Sequence, residues 1–262
     1  MSGPATTGPV MFALAPHPLL PTLCAKLPIE RGIVSSRVFP DGEAYLRVDT
    51  PVDDRCCIVL ADLARPDSKY LPLAFLLATL REFGASSVGL VAPYLSYMRQ
   101  DRRFIEGEAL TSRIFARMLS AQIDWLVTVD PHLHRYHSLN QIYSVPTRVV
   151  QGAPALADWL RGQTNLLLVG PDAESEQWVA EIARRSGHPF VVGAKRRYGD
   201  RDVVVTLPSL TSFAGRTAII IDDVISSGQT VVKCMDALQQ QGIQQISCAA
   251  VHGIFAGDID NT

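Results

Sequence analysis

The stretch that decides the fold is residues 217–232, which read TAIIIDDVISSGQTVV. Its apolar start, 218–221, predicts a buried strand that stops at two adjacent carboxylates, Asp222 and Asp223. A loop of small residues follows, and apolar residues at helical spacing then predict a helix that ends at Gly242. This order of elements is typical of a phosphate site, because free backbone N–H groups and the helix dipole face the anion. The loop residues are Ser226, Ser227, Gly228, Gln229 and Thr230.

The acidic pair in this stretch suits a different part of a ligand. Carboxylates do not hold phosphate, but they can hold sugar hydroxyls directly or through Mg²⁺. A ligand that carries both a phosphate and a vicinal diol therefore fits the whole stretch. Two acids also occur at ordinary strand ends, and Ser-Ser-Gly at ordinary helix caps, so the stretch alone leaves both interpretations open.

Composition and element order bound the fold class. The 262 residues are enough for two domains or one large one, and 47% apolar with 19% charged residues is ordinary for a soluble α/β enzyme. Strands alternating with helices predict parallel sheets wound on both faces, in two halves at 1–148 and 149–262. The net charge of −2 gives no reason to expect a nucleic-acid partner. The longest apolar run, 71–80, is too short to cross a membrane.

The five cysteines predict a reducing compartment. Their number is odd and their spacing does not match a zinc site, so we expect reduced core residues in a cytoplasmic protein. The first ten residues show no charged region followed by an apolar one, and we expect no secretory signal there.

Five further polar stretches lie beside predicted strands, and none is specific alone. They are FPDGE (39–43), YMRQDR (97–102), VDPH (129–132), GPD (170–172) and KRR (195–197). In this order, and followed by IDDVISSGQT, they resemble the motifs of the ribose-phosphate pyrophosphokinase family. The resemblance runs from about residue 10 to 256, and the ordered set is a much stronger signal than any one motif.

The resemblance implies a fold, a reaction and an assembly. It implies two phosphoribosyltransferase-like domains, each a mostly parallel sheet flanked by helices. The ATP-binding motifs would lie in 1–148, and the ribose 5-phosphate site, called the cradle below, would lie in 149–262. The implied reaction transfers the pyrophosphoryl group of ATP to the anomeric hydroxyl of ribose 5-phosphate, with Mg²⁺, and gives 5-phosphoribosyl diphosphate (PRPP) and AMP. The family also implies a homo-oligomer, at least a dimer, in which the FPDGE turn completes the ATP site of a neighbouring subunit.

The resemblance also implies a role for individual residues. ATP contacts are expected at Phe39, Asp41, Gly42, Glu43, Arg99, Gln100 and Asp101. Metal positions are expected at His132 and Asp172, and a catalytic pair, Lys195 and Arg197, on a mobile loop. Ribose 5-phosphate contacts are expected at Arg197, Asp222, Asp223, Ser226, Ser227, Gly228, Gln229 and Thr230.

Two other functions stay open at this point. A phosphoribosyltransferase would use the same cradle to consume PRPP, but it would give the FPDGE and RQDR stretches no role. A catalytically weak regulatory relative would be expected to lack the catalytic cations, and Lys195 and Arg197 are both present. Gln229 departs from the family, whose loop has glycine at this place, and it puts a side chain where glycine lets the backbone approach a phosphate.

Overall fold

The computed structural model describes residues 8–133, 135–197 and 203–255, with the backbone alone at 195–197 and 203. The chain divides into two compact units, Met1–Val150 and Gln151–Thr262. Each unit contains a parallel sheet with helices, as the sequence predicts, and the α/β fold class is confirmed.

A parallel sheet forms the centre of the first unit. Among the described residues it has six strands in the order β2-β1-β5-β6-β7-β8. The strands are β1 (Val10–Phe12), β2 (Glu30–Arg31), β5 (Cys56–Leu60), β6 (Ser87–Ala92), β7 (Trp125–Val129) and β8 (Thr147–Val150). The inner strands β5 and β6 are apolar and mostly buried, as expected for parallel strands covered on both faces. Their carboxyl ends lie at the same edge of the sheet.

The helices and one hairpin complete this unit. The helices are α1 (Leu19–Lys26), α2 (Asp67–Glu82) and α3 (Thr111–Ser120). Helix α2 buries Leu73, Leu76, Leu77 and Leu80, whose spacing of three and four residues puts them on one side of the helix. The hairpin pairs β3 (Val34–Val38) with β4 (Ala44–Val48) in antiparallel register, and the FPDGE turn joins its strands.

The second unit has a smaller parallel sheet. Its order in the described part of the chain is β10-β9-β13-β14. The elements are α4 (Ala153–Leu160), β9 (Leu166–Gly170), α5 (Glu176–Ser186), β10 (Phe190–Val192), β11 (Ala194–Arg197), β12 (Val203–Thr206), β13 (Thr217–Ile225), α6 (Gln229–Gln240) and β14 (Ile246–Gly253). Strands β11 and β12 form a separate antiparallel pair. Helices α4 and α5 pack on one apolar cluster of the sheet and α6 on another.

The structure corrects four local expectations. Strand β13 does not stop at the acidic pair but continues to Ile225, because β14 pairs with it that far. Gln229 and Thr230 belong to the first turn of α6 and not to the loop. Lys195 and Arg197 lie on strand β11, since its backbone pairs with β12. Cys248, expected in the core, is exposed.

Candidate active site

The edge of the first sheet where β5, β6 and β7 end carries strained backbone. Four residues in the segments that follow these strands have positive φ although they are not glycine. They are Arg65 (52°), Tyr97 (62°), Asp130 (34°) and His132 (54°). Such conformations cost about 1–3 kcal/mol each and tend to persist where function requires them. Ligands of open parallel sheets also bind beyond the carboxyl ends of strands, so this edge is a candidate binding site.

A cleft of about 390 Å³ lies at this edge. Its lining residues are Arg65, Pro66, Asp67, Tyr94, Ser96, Tyr97, Arg99, Gln100 and Thr111. The structure therefore brings Arg99 and Gln100 together in one cleft. The hydroxyl of Thr111, at the start of α3, donates a 3.1 Å hydrogen bond to Oε1 of Gln100 and orients this amide. The guanidinium groups of Arg65 and Arg99 give the cleft the chemistry of an anion site.

Asp101 has structural contacts instead of an open position in this cleft. Its side chain is only 3% exposed, and its Oδ1 accepts a 2.7 Å hydrogen bond from Nη1 of Arg135. The hydroxyl of Tyr136 donates to the backbone carbonyl of Asp101 at 3.3 Å. These contacts fix the segment that carries Arg99 and Gln100, and we infer that Asp101 positions the cleft residues.

The FPDGE turn is an ordered, exposed structure. The N–H of Phe39 donates to the carbonyl of Glu43 at 2.8 Å, and the N–H of Glu43 donates to Oδ1 of Asp41 at 3.1 Å. Gly42 has a φ of 94°, which favours glycine at this position. The guanidinium of Arg37 lies 4.3 Å from the ring centroid of Phe39. Residues 39–43 are not among the described residues that line the cleft.

His132 lies in the strained segment after β7. It is half-buried, and its backbone N–H donates to the backbone carbonyl of Asp130 at 2.9 Å. His134, which follows it in the sequence, lies outside the described residues. An imidazole is a weaker match than a carboxylate to Mg²⁺, which prefers oxygen ligands. The role of His132 as a metal position stays a prediction.

Three carboxylates lie near the carboxyl edge of the second sheet. Asp172 follows β9, while Asp222 and Asp223 lie on the last part of β13. The Asp172 side chain accepts hydrogen bonds from the N–H groups of Glu174 and Ser175 at 3.1 and 3.2 Å, which holds it in place. Burial first, and then the neighbouring charges of Asp223 and Asp172, raise the pKa of Asp222 to about 7. The negative charge here is concentrated enough to favour a cation or hydroxyl donors.

The loop between β13 and α6 presents backbone donors. Gly228 precedes α6 with a φ of 69°, and no side chain caps the first turn of this twelve-residue helix. No side chain therefore occupies the N–H groups at the start of α6, and the helix dipole favours an anion there. Ser226 is half-buried, and Ser227 and Gln229 are exposed. The structure therefore brings the predicted phosphate loop next to the acidic strand end.

Magnesium fits these residues as an ion bound jointly by the protein and a substrate phosphate, and not as an ion held by protein side chains alone. Among the described residues, no three His, Cys, Asp or Glu side chains converge closely enough to hold a metal ion. Mg²⁺ in nucleotide sites is usually bound by one or two carboxylates together with substrate phosphates and water. Asp172 and the Asp222–Asp223 pair supply oxygen donors of this kind, and a cation would relieve the repulsion that raises the pKa of Asp222.

The two catalytic candidates lie on the antiparallel pair of the second unit. Lys195 is opposite Val205 and Arg197 is opposite Val203 in the β11–β12 register. The connection between these strands, 198–202, lies outside the described residues. The sequence analysis did not assign Arg65, Ser96 or Thr111 to the cleft. Arg65 follows β5 and Ser96 follows β6, and these strands are neighbours in the sheet. Recognising that the two residues meet would have required the strand order.

Comparisons with known proteins agree with this architecture. The model of the N-terminal domain of ribose phosphate pyrophosphokinase matches residues 10–122, and the phosphoribosyl transferase domain model matches residues 138–258. The phosphoribosylpyrophosphate synthetase of Mycobacterium smegmatis has a similar structure, with a TM-score of 0.80 over 96% of this chain and 83% of that one. Its sequence identity is 22%, so this similarity shows the fold.

Two sequence relatives have a higher sequence identity to this chain than the Mycobacterium smegmatis protein has. The ribose-phosphate pyrophosphokinase of Methanopyrus kandleri is 32% identical over 236 residues, which cover 89% of this chain and 80% of the relative. That of Methanobrevibacter smithii is 30% identical over 85% of this chain and 78% of the relative. The fold and site define an α/β protein of the phosphoribosyltransferase type with an added N-terminal unit. The chain belongs to the ribose-phosphate pyrophosphokinase family.

Proposed function

We propose that the protein transfers the pyrophosphoryl group of ATP to the anomeric hydroxyl of ribose 5-phosphate, forming PRPP and AMP for nucleotide biosynthesis. The observation that carries this proposal is the acidic pair Asp222–Asp223 on the last part of β13, followed by the short loop 226–228 and the uncapped start of α6. Ribose 5-phosphate has a phosphate for the helix N-terminus and a diol for the carboxylates. Arg197 would add a charge to this sugar phosphate site.

The nucleotide contacts of this proposal lie in the first unit. Arg99 and Gln100 would hold ATP in the cleft, and the exposed FPDGE turn would contact the adenine of an ATP bound by a neighbouring subunit. Phe39 would stack on the base, while Asp41 and Glu43 would accept hydrogen bonds from it. A homo-oligomer of at least two chains is part of this proposal.

The chemistry requires little covalent participation by the protein. The anomeric oxygen forms a bond to the β-phosphorus, the bond from that phosphorus to the α,β-bridging oxygen breaks, AMP leaves, and the hydroxyl proton is released. Positioning and charge neutralisation dominate in such transfers. Lys195 and Arg197 would stabilise the negative charge on the transferred group. His132 and Asp172 are the proposed metal positions, and Mg²⁺ would neutralise phosphate charge when it is bound.

We also place the protein in the cytoplasm. All five cysteines are unpaired, which suits a reducing compartment. Among the described residues no helix is long and apolar enough to cross a membrane.

Phosphorus NMR tests the reaction directly. With ATP, ribose 5-phosphate and Mg²⁺, we expect AMP and PRPP in equal amounts, and we expect almost no AMP when the sugar is omitted. ADP in place of AMP would show transfer of one phosphoryl group and contradict the proposal. A phosphoribosyltransferase would ignore ATP and release pyrophosphate from PRPP when a base is supplied.

A further inference from the structure

Two residues of the first-unit cleft have no role in the proposed function so far. Arg65 follows β5, and Ser96 follows β6 within the same stretch as Arg99 and Gln100. Both line the cleft. The inference about them rests on the proposed function, because it concerns how this cleft holds the nucleotide.

Ser96 has a buried hydroxyl without a partner. The residue is 3% exposed, and among the described residues its Oγ has no hydrogen-bond partner. Folded proteins keep few such groups, because a buried hydroxyl that lacks a partner loses its hydration without compensation. Ser96 lines the cleft, and a serine hydroxyl can change between staggered positions. The hydroxyl can therefore serve a ligand that enters the cleft.

Arg65 supplies a second guanidinium to the same cleft. Its φ of 52° is a conformation that side-chain-bearing residues rarely adopt. Strain of this kind is usually retained where the position of the residue matters. The planar set of N–H donors on arginine matches phosphate oxygens better than the single ammonium of lysine does.

The charge balance of the cleft favours an anion. Its lining contains two arginines, Arg65 and Arg99, and one carboxylate, Asp67. The hydroxyl of Tyr97 donates a short hydrogen bond to Asp67, so part of that carboxylate is already engaged. Two further lining residues, Ser96 and Gln100, have groups that can donate hydrogen bonds to oxygen atoms.

We infer that Arg65 and Ser96 bind a phosphate group of ATP, extending the contacts of Arg99 and Gln100 along the cleft. The guanidinium of Arg65 donates to one phosphate oxygen or two, and the hydroxyl of Ser96 donates to another. These residues determine nucleotide affinity and leave the ribose 5-phosphate site unaffected.

Ser96→Ala gives the sharpest test, because the structural and binding roles predict opposite results. Removing an unpartnered buried hydroxyl should leave the melting temperature of the unliganded protein unchanged or raised. The Kd of ATP, measured by calorimetry without ribose 5-phosphate, should rise about tenfold, since hydrogen bonds to charged groups are the stronger ones. A lower melting temperature with unchanged ATP affinity would assign Ser96 to the fold and overturn the inference.

Arg65→Gln tests the second residue, with Arg113→Gln as the matched control. Arg113 is exposed on α3 in the same unit and does not line the cleft. Arg65→Gln should weaken ATP binding about tenfold or more, with the KM of ribose 5-phosphate unchanged, whereas Arg113→Gln should have little effect. Equal losses in the two variants would indicate a general effect of charge and would contradict a specific contact.

Phosphate probes separate this inference from the proposed function. Tripolyphosphate should bind the wild-type protein and lose affinity in both cleft variants. If inorganic phosphate binds protein saturated with ATP, and only this binding is lost in the variants, the cleft holds free phosphate and the inference is overturned. If the wild-type protein forms no PRPP, yet both variants bind ATP more weakly as predicted, the proposed reaction is contradicted and the inference about the cleft is supported.

Discussion

The backbone N–H of Asp223 donates a 3.0 Å hydrogen bond to Oδ1 of Asp222, which fixes the Asp222 carboxylate near the end of β13. Burial and the charges of Asp223 and Asp172 raise the pKa of Asp222 to about 7. The unliganded site therefore concentrates negative charge where a cation or the hydroxyl groups of a sugar can relieve it.

The first prediction concerns the pH dependence of stability. An aspartate in an unfolded chain titrates near 3.9, so between about pH 4 and 7 the folded protein holds more protons at Asp222 than the unfolded chain does. Stability should then fall as pH rises through this window and level off above about 7. The ionised group costs at most about 4 kcal/mol, at about 1.4 kcal/mol per tenfold change in proton affinity.

Asp222→Asn should remove this cost, because the amide oxygen can still accept the Asp223 hydrogen bond. Thermal unfolding without ligands should show the variant more stable than wild type at pH 8, with the difference shrinking toward pH 4. Asp236→Asn, on the exposed side of α6, is the control and should show no such trend. A wild-type protein as stable as Asp222→Asn at pH 8 would contradict the raised pKa.

The second prediction separates the two substrates. Asp223→Asn should raise the KM of ribose 5-phosphate by about 10- to 100-fold, because a charged acceptor for the sugar hydroxyls is lost. The KM of ATP should stay nearly unchanged. Separate titrations with the two substrates measure both values, and Asp236→Asn again serves as the control. An equal defect toward ATP would show that this pair does not act on the sugar alone.

The third prediction concerns Lys195. Replacing it with alanine should lower kcat by about 10²–10³-fold, which corresponds to about 3–4 kcal/mol of lost charge stabilisation in the transition state. ATP binding should weaken much less. Arg196→Ala removes a positive charge from the neighbouring residue and is the control. Steady-state kinetics that show a raised KM with intact kcat would remove Lys195 from the catalytic role.

The fourth prediction concerns the exposed FPDGE turn, which does not line the cleft. If the turn completes a neighbouring subunit's ATP site, the variants Phe39→Ala and Arg99→Gln should each be nearly inactive alone. A mixture in which subunits exchange should regain about a quarter of the wild-type activity, since random pairing leaves that share of shared sites intact. No recovery, despite mixed oligomers detected by native mass spectrometry, would place the turn and the cleft in the same subunit's site.

The sequence by itself determined the elements and the chemistry. Apolar stretches of strand length alternate with amphipathic helices, and this periodicity reflects local side-chain burial, so it can be read without a structure. The acidic pair and the small-residue loop are neighbours in the sequence, and strand β13 followed by α6 puts them together in the structure. The parallel sheets with flanking helices were predicted for the same reason.

Only the tertiary structure decided where elements end and which distant residues meet. Strand β13 extends beyond Asp223 because its partner β14 continues the ladder, and a strand end depends on pairing that the single strand does not encode. Packing across neighbouring strands buries the Ser96 hydroxyl and brings Arg135 within hydrogen-bond distance of Asp101. It also places Arg65 in the same cleft as Arg99. Such contacts join residues about thirty positions apart, and their energies arise from burial and strand order, which local sequence patterns do not specify.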